Sequence, residues 1–139
     1  MWQSTRVSGE QQWSSGAGSG AATVPELARL SFETDGDVEL AHVAGEVDAS
    51  NVEDLTQQLL EGVSNQSRAV VLDLTDTSYI DSSGISLIFD AAARMKNRRQ
   101  QLRLVVPPKS FVSEVLAAVS MSDSVPIVPT LAEALSAEG

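Results

Sequence analysis

The sequence contains no cysteine and only one histidine, His42. Without cysteine, the chain can form no disulfide, no thiolate metal site and no thiol nucleophile. A single histidine also argues against a histidine-based metal centre. The composition therefore predicts a protein without a metal or other cofactor, and it suits a reducing cytosol.

Positive charge and long hydrophobic runs are also scarce. Nine Lys and Arg residues stand against nineteen Asp and Glu residues, which gives a formal net charge of −10 at pH 7. This charge repels phosphate backbones and so disfavours nucleic-acid binding. No window approaches the ~18 consecutive apolar residues of a membrane helix, and the N-terminus lacks the layout of a secretory signal. We expect a cytoplasmic protein that does not insert directly into a membrane.

The residues that are present fit one domain preceded by a tail. The chain has 139 residues, of which 42% are hydrophobic, which is enough for one small core. Its first 22 residues are mostly Ser, Gly, Gln and Ala, with Trp2 and Trp13 among them. We predict a disordered Ser/Gly-rich N-terminal tail over residues 1–24 and one domain over residues 25–139. A flexible leader is favoured over a docking segment that uses the tryptophans.

Short hydrophobic segments alternate with helical patterns along the domain. Residues 30–34 and 38–43 alternate in polarity around the turn signal Asp35-Gly36, which predicts an antiparallel hairpin. Further strands are predicted over residues 69–74, 102–106 and 125–128, with a polar turn after the first of them. This order predicts an α/β domain with a mixed sheet.

Four helices are predicted between these strands. The first begins at Asp48 as its N-cap, the second opens at Ser82 or Ser83, and the others cover residues 110–120 and 131–137. Helical spacing predicts inward-facing side chains in the second and third helices: Ile85, Ile88, Phe89, Ala92, Phe111, Val115, Leu116 and Val119.

The most informative segment is the tetrad Asp81-Ser82-Ser83-Gly84 at the start of the second helix. Backbone N–H groups at a helix N-terminus lack intrahelical partners and lie at the positive end of the helix dipole. A phosphate esterified to either serine would be favoured there, so the position suits a phosphorylation switch. Taken alone, such a tetrad is more often ordinary helix capping.

Further motifs in a fixed order favour the phosphorylation switch over simple capping. Gly45-Glu46-Val47-Asp48 follows the second strand, and Val71-Leu72-Asp73-Leu74 ends the third. Together with Ile80-Asp81-Ser82-Ser83-Gly84 and a closing segment at residues 130–135, they resemble the STAS-domain anti-sigma factor antagonists. The resemblance implies a STAS-like single domain, in which a mixed β-sheet carries about four α-helices packed mainly on one side. Two departures, Gln101 and Ser120-Met121-Ser122, stand where that family often has glycine.

The resemblance also implies a partner-switching function. Unphosphorylated members bind an anti-sigma factor that is a serine kinase and so release a sigma factor; phosphorylation reverses this, and a phosphatase is the expected further partner. The modified residue is the serine after the aspartate, which is Ser82 here, with Ser83 as the runner-up. The implied partner-binding residues are Asp48, Asp81, Ser82, Ser83, Gly84 and Ile85. No catalytic residue or metal ligand is implied, and we expect the chain not to be an enzyme.

Several roles near the tetrad stay open. Asp73 either orients the serine loop by hydrogen bonding or holds a simple turn. Tyr79 and Ile80 belong either to the core or to an interface. The basic cluster Arg94, Lys96, Arg98 and Arg99 is favoured as a solvated helix end over a specific anion site, because cations complement a helix C-terminus.

Two other functions compete with the partner switch. A serine hydrolase has little support, because Gly-x-Ser-x-Gly is missing and the only candidate base, His42, lies in a strand with no identifiable orienting partner. A STAS regulatory subunit of a membrane transporter, or a nucleotide-binding sensor module, keeps the fold and stays open as the alternative.

Overall fold

Strands and helices alternate along the chain in the predicted order. The computed structural model describes residues 5–7 and 28–136. The strands are β1 (Thr5–Val7), β2 (Arg29–Asp35), β3 (Val38–Val47), β4 (Ala69–Asp73), β5 (Thr77–Ile80), β6 (Gln101–Val105) and β7 (Ile127–Val128). The helices are α1 (Val52–Gly62), α2 (Ser82–Asn97), α3 (Phe111–Ala118) and α4 (Leu131–Ser136), with a 3-10 turn at Met121–Asp123.

The sheet is mixed, as predicted. Its order is β1-β2-β3-β4-β6-β7, and β5 pairs with the end of β3 beside that path. β1, β2 and β3 are antiparallel, whereas β3, β4, β6 and β7 run parallel. The predicted hairpin turn is confirmed, with Gly36 at a φ of 63° that glycine adopts without steric cost. The parallel strands therefore bring their carboxyl ends to one edge of the sheet.

Three helices cover one face of the sheet and α4 covers the other. The main core joins buried residues of β2, β4 and β6 to Leu59 of α1, Ile88 of α2 and Leu116 of α3. A smaller cluster on the opposite face joins Ala134 of α4 to β3, β4 and β6. All five residues of β4 are buried, as expected for a strand covered on both faces. The predicted packing of helices mainly on one side is confirmed.

Two strand predictions are wrong at their boundaries. The second strand was expected to break at Gly45, but β3 continues to Val47 because Gly45, at a φ of 100°, accommodates an irregularity in the pairing. The segment predicted as a polar turn contains β5, which pairs in parallel with that extension. The Thr77 hydroxyl donates to the carbonyl oxygen of Val43 at 2.7 Å and so fixes the start of β5.

Three side chains that were predicted to face the core are exposed instead. Phe89, Phe111 and Val119 have exposed fractions of 39%, 50% and 40%. The inward face of α2 consists of Gly84, Ile88, Ala91 and Met95, and that of α3 of Val112 and Leu116. Gly84 and Ala91 are small and only weakly hydrophobic. The apolar pattern of α2 therefore predicted an inward face that is rotated about the helix axis from the observed one.

The chain before β2 is described only in part. Residues 5–7 of the predicted disordered tail instead form β1 against β2. The rest of the tail, with Trp2 and Trp13, lies outside the described residues. Farther along the chain, Ser120 adopts a left-handed φ of 54° at one position where the family often has glycine. None of the described helices is long and apolar enough to span a bilayer.

Candidate functional site

The sheet edge where β3 and β5 end brings the predicted site residues together. Val47 and Ile80 are partners in the parallel register, and the N–H of Asp81 donates to the carbonyl oxygen of Val47 at 3.3 Å. Asp48 and Asp81 directly follow this pair on two adjacent segments. The loop before α1 and the first turn of α2 therefore form one surface, which we call the switch surface: residues 46–51, 79 and 81–83, and Phe111.

Asp81 is the N-cap of α2. Its Oδ1 accepts hydrogen bonds from the N–H of Ser83 at 2.8 Å and of Gly84 at 3.3 Å. Ser82 is therefore the first helical residue, and it is exposed, whereas Ser83 is half-buried. Since the Asp81 carboxylate already uses two donors of the first turn, a phosphate on Ser82 would lie beside a negative charge as well as beside the helix dipole.

Gly84 follows the two serines in the first turn of α2. The residue is buried, and a Cβ there would overlap the Ile80 side chain and lie 3.0 Å from Cγ1 of Val47. Glycine is needed because α2 approaches the ends of β3 and β5 closely. Packing within the domain thus explains the glycine, and the expected role of Gly84 in contacting a partner stays a prediction. Ile85, another predicted partner-binding residue, is half-buried and packs against the main core.

Asp48 organises a turn. The prediction that it is the N-cap of α1 is wrong. The N-cap is Asn51, and α1 begins at Val52. The Asp48 carboxylate accepts from the Ser50 N–H at 2.9 Å and from the Ser50 hydroxyl at 2.6 Å. These two bonds hold the pKa of Asp48 below its ordinary value of 3.8. Because its carboxylate is bound to Ser50, Asp48 closes the loop that precedes α1. The carboxylate also adds a fixed negative charge to the switch surface.

An exposed aromatic pair joins β5 to the start of α3. The rings of Tyr79 and Phe111 are stacked with centroids 5.5 Å apart and planes at 12°, and their exposed fractions are 39% and 50%. Ile80, by contrast, is buried in the core. The sequence left Tyr79 open and missed Phe111. The available signal was that Phe111 directly follows the N-cap Ser110 and lies out of phase with Val112 and Leu116.

His42 lies in a network of two carboxylates away from the serine. Its Nδ1 is 2.7 Å from Oδ2 of Asp73, and its Nε2 is 2.6 Å from Oε1 of Glu33. The expectation that His42 has no orienting partner is therefore wrong. Asp73 also accepts from the N–H of Thr75 at 3.0 Å and from its hydroxyl. Of the two roles left open for Asp73, the structure thus supports the turn, which leads from β4 into β5.

We expect a pH-dependent stability from this network. The hydrogen bond to Asp73 outweighs the opposing effect of burial, and with Glu33 it raises the pKa of His42 above 6.5. Burial opposes ionisation of Asp73, but the bonds from His42 and Thr75 lower the pKa of that carboxyl below 3.8. The contribution of the His42 imidazolium to the free energy of unfolding is complete below pH 6.5 and is lost as pH rises through the raised pKa. The contribution of the Asp73 carboxylate is complete above pH 3.8 and is lost as pH falls through the lowered pKa.

Urea unfolding across pH 5 to 9 checks this expectation. The free energy of unfolding should fall as pH rises above about 6.5, and His42→Gln should remove that slope. A slope that persists unchanged in His42→Gln would assign the effect to other groups.

Comparison with known proteins identifies the class of protein that this fold represents. The STAS domain profile matches residues 29–134, so the chain belongs to the STAS domain family. Its structure is similar to that of an anti-sigma factor antagonist from Mycobacterium paratuberculosis, with a TM-score of 0.73 at 20% identity, over 81% of this chain and 95% of that one.

Two forms of one further antagonist share the fold. The anti-sigma factor antagonist SpoIIAA in its unphosphorylated form has a TM-score of 0.55 at 15% identity, over 76% of this chain and 93% of that one. The Bacillus cell fate determinant SpoIIAA in its phosphorylated form has a TM-score of 0.54 at 17% identity, over 76% of this chain and 96% of that one. The likeness to the two forms is nearly equal, so it concerns the fold that both share.

Proposed function

We propose that this protein is a cytoplasmic, non-enzymatic anti-sigma factor antagonist. In this proposal, the unphosphorylated chain binds an anti-sigma factor with serine-kinase activity, which releases a sigma factor, and phosphorylation of Ser82 ends the binding until a phosphatase removes the phosphate. The observation that carries the proposal is the exposed Ser82 at the first position of α2, on one surface with the Asp48 loop and the aromatic pair. Membership of the STAS family and its antagonist neighbours support it.

Exposure and hydrogen bonding favour Ser82 over Ser83 as the modified residue. The Ser82 side chain is exposed, so a kinase can reach its hydroxyl without unfolding the helix. Ser83 is half-buried, and its N–H is bound to the Asp81 carboxylate at 2.8 Å. A phosphate at Ser83 would displace this cap, whereas one at Ser82 leaves it in place.

The charge at the switch surface explains how phosphorylation could end binding without unfolding the domain. Phosphoserine adds about −1.5 to −2 charges at neutral pH. Within the free protein, water screens this charge and the helix dipole offsets part of it by about 0.3 to 1 kcal/mol. In a complex, the dianion next to Asp81 would have to be desolvated, which costs several kcal/mol when no partner cation pairs with it. Phosphorylation should therefore weaken partner binding and leave the domain folded.

The aromatic pair supplies the apolar part of the proposed interface, and its removal should weaken binding. Phe111→Ala and Tyr79→Thr should each raise the Kd for the anti-sigma factor about tenfold to a hundredfold, or about 1.4 to 2.7 kcal/mol, because exposed aromatic side chains are common binding anchors. Calorimetric titration of the anti-sigma factor with each variant measures the change. The free energy of unfolding should change little for Phe111→Ala, since half of this side chain is already exposed.

Val119→Ser is the matched control for these variants. Val119 is as exposed as Tyr79 but lies at the opposite end of α3 from Phe111. The Kd of Val119→Ser for the anti-sigma factor should therefore stay within twofold of wild type. Equal increases in Kd for Val119→Ser and Phe111→Ala would show that the aromatic pair is not part of the interface. Stable association with a transporter component, indifferent to the charge at residue 82, would instead favour the transporter-subunit alternative.

A further inference from the structure

A groove at the far end of α2 from Ser82 is lined by cations. Its volume is about 590 Å³, and its wall includes Arg68 before β4 and Lys96 and Arg99 at the end of α2. None of its lining residues is acidic, although the chain has nineteen acidic residues and a net charge of −10. The groove is therefore a local concentration of positive charge on a strongly negative protein.

Two of these cations have no counter-charge within the described part of the chain. Arg68 is paired with Asp37 at 3.0 Å, whereas no described carboxylate forms an ion pair with Lys96 or Arg99. Both residues are exposed. Their charges face solvent, so they are available to carboxylates on another molecule.

Arg99 occupies a backbone position that favours glycine. Its φ is 62°. The turn around it is closed by bonds from the Arg99 N–H to the carbonyl oxygen of Lys96 at 3.0 Å and from the Gln100 N–H to that of Met95 at 2.8 Å. Helices commonly end in this way with glycine, because a Cβ is strained in the left-handed region. The fold thus places a guanidinium at the groove where the backbone alone favours a residue without a side chain.

The other end of α2 carries the complementary charge. Glu46, Asp48 and Asp81 lie on the switch surface, whose residues include no lysine or arginine. Glu46 is exposed and lies opposite Tyr79 in the parallel register of β3 and β5, and Tyr79 stacks on Phe111. Carboxylates beside exposed aromatic rings suit arginine, because the guanidinium pairs with carboxylates and stacks on aromatic faces.

These two surfaces are too far apart to meet within one chain. α2 has 16 residues, so its ends are about 24 Å apart at the helical rise of about 1.5 Å per residue. At about 0.1 M salt the Debye length is only about 10 Å. A contact between two copies therefore depends on the charges of the two facing ends more than on the net charge of the chain.

We propose that the cationic groove of one copy binds the acidic switch surface of a second copy. The same contact made twice gives a two-fold dimer, and made once per copy it gives a chain or ring of copies. In either assembly the switch surface is covered, so self-association competes with any other partner of that surface. The inference rests on the charges of the two surfaces and not on phosphorylation of Ser82, so it does not depend on the proposed function.

Sedimentation velocity of the full chain at about 0.1 M and at about 1 M salt tests the inference. We expect the average mass of wild type to rise with concentration at the lower salt and to return to that of a monomer at the higher salt. Arg99→Glu and Glu46→Lys should each weaken the association at least tenfold, because each brings like charges together. A mixture of the two variants should associate again, since the unchanged acidic surface of one fits the unchanged groove of the other.

Arg98→Glu is the matched control, since Arg98 is exposed at the same helix end and does not line the groove. Its association constant should stay within threefold of wild type. A wild type that stays monomeric at the lower salt would overturn the inference. Equal weakening by Arg98→Glu and Arg99→Glu would also overturn it, because the attraction would then be diffuse surface charge. Association that Glu46→Lys leaves unchanged would overturn it as well, because the groove would then hold something other than the switch surface.

Discussion

Ser82→Asp should lose binding to the anti-sigma factor, and Ser82→Ala should keep it permanently. The aspartate places a second carboxylate beside Asp81 on the switch surface, and burying both against a partner costs several kcal/mol unless cations pair with them. We expect the Kd of Ser82→Asp to rise at least a hundredfold, which corresponds to about 2.7 kcal/mol. Ser82→Ala should bind like wild type and should not be released when the kinase and ATP are present.

Stability measurements separate this effect from unfolding. Because Ser82 is exposed, both variants should unfold within about 0.5 kcal/mol of wild type. Ser86→Asp is the matched control, since Ser86 is an exposed serine one turn farther along α2. If Ser82→Asp binds as tightly as wild type, or if Ser86→Asp loses binding equally, Ser82 is not the switch.

Gly84→Ala should destabilise the fold by about 1 to 3 kcal/mol, and Gly84→Val should cost more. Gly84 is buried, and its missing side chain leaves room for Ile80 and Val47. A Cβ overlaps Ile80 and forces α2 away from the ends of β3 and β5, which is the usual cost of overpacking a core. Urea unfolding of Gly84→Ala measures the loss.

Ser86→Ala serves as the control for Gly84, because it changes an exposed position on the same helix and should alter the free energy of unfolding by less than about 0.5 kcal/mol. The experiment also decides between packing and partner contact. A Gly84→Ala protein of unchanged stability that fails to bind would support the partner-contacting role expected from the sequence and contradict the packing role.

Local patterns in the sequence were sufficient for much of the fold. The Asp35-Gly36 turn between alternating strands fixed the hairpin, and the fully buried Val/Leu run of β4 was visible as an apolar segment. The cap at Asp81 could also be predicted, because Asp before a helix is a local signal. The structure places its carboxylate on the N–H groups of Ser83 and Gly84, within three residues along the chain.

Features that depend on distant parts of the chain could not be predicted. β5 has four residues, and its pairing requires the extension of β3 past Gly45, some thirty residues earlier. The partners of His42, Glu33 and Asp73, come from two other strands. Exposure of Phe111 depends on how α3 packs, which an eight-residue helix specifies only weakly in sequence.

The most direct test of the account is to phosphorylate the complex itself. The purified chain is bound to its anti-sigma factor, ATP is added, and dissociation is followed while peptide mass spectrometry locates the phosphate. We expect the complex to dissociate as phosphate accumulates on Ser82, and Ser82→Ala to stay bound under the same conditions. A complex that persists when Ser82 is fully phosphorylated, or that dissociates with phosphate only at another residue, would contradict the account.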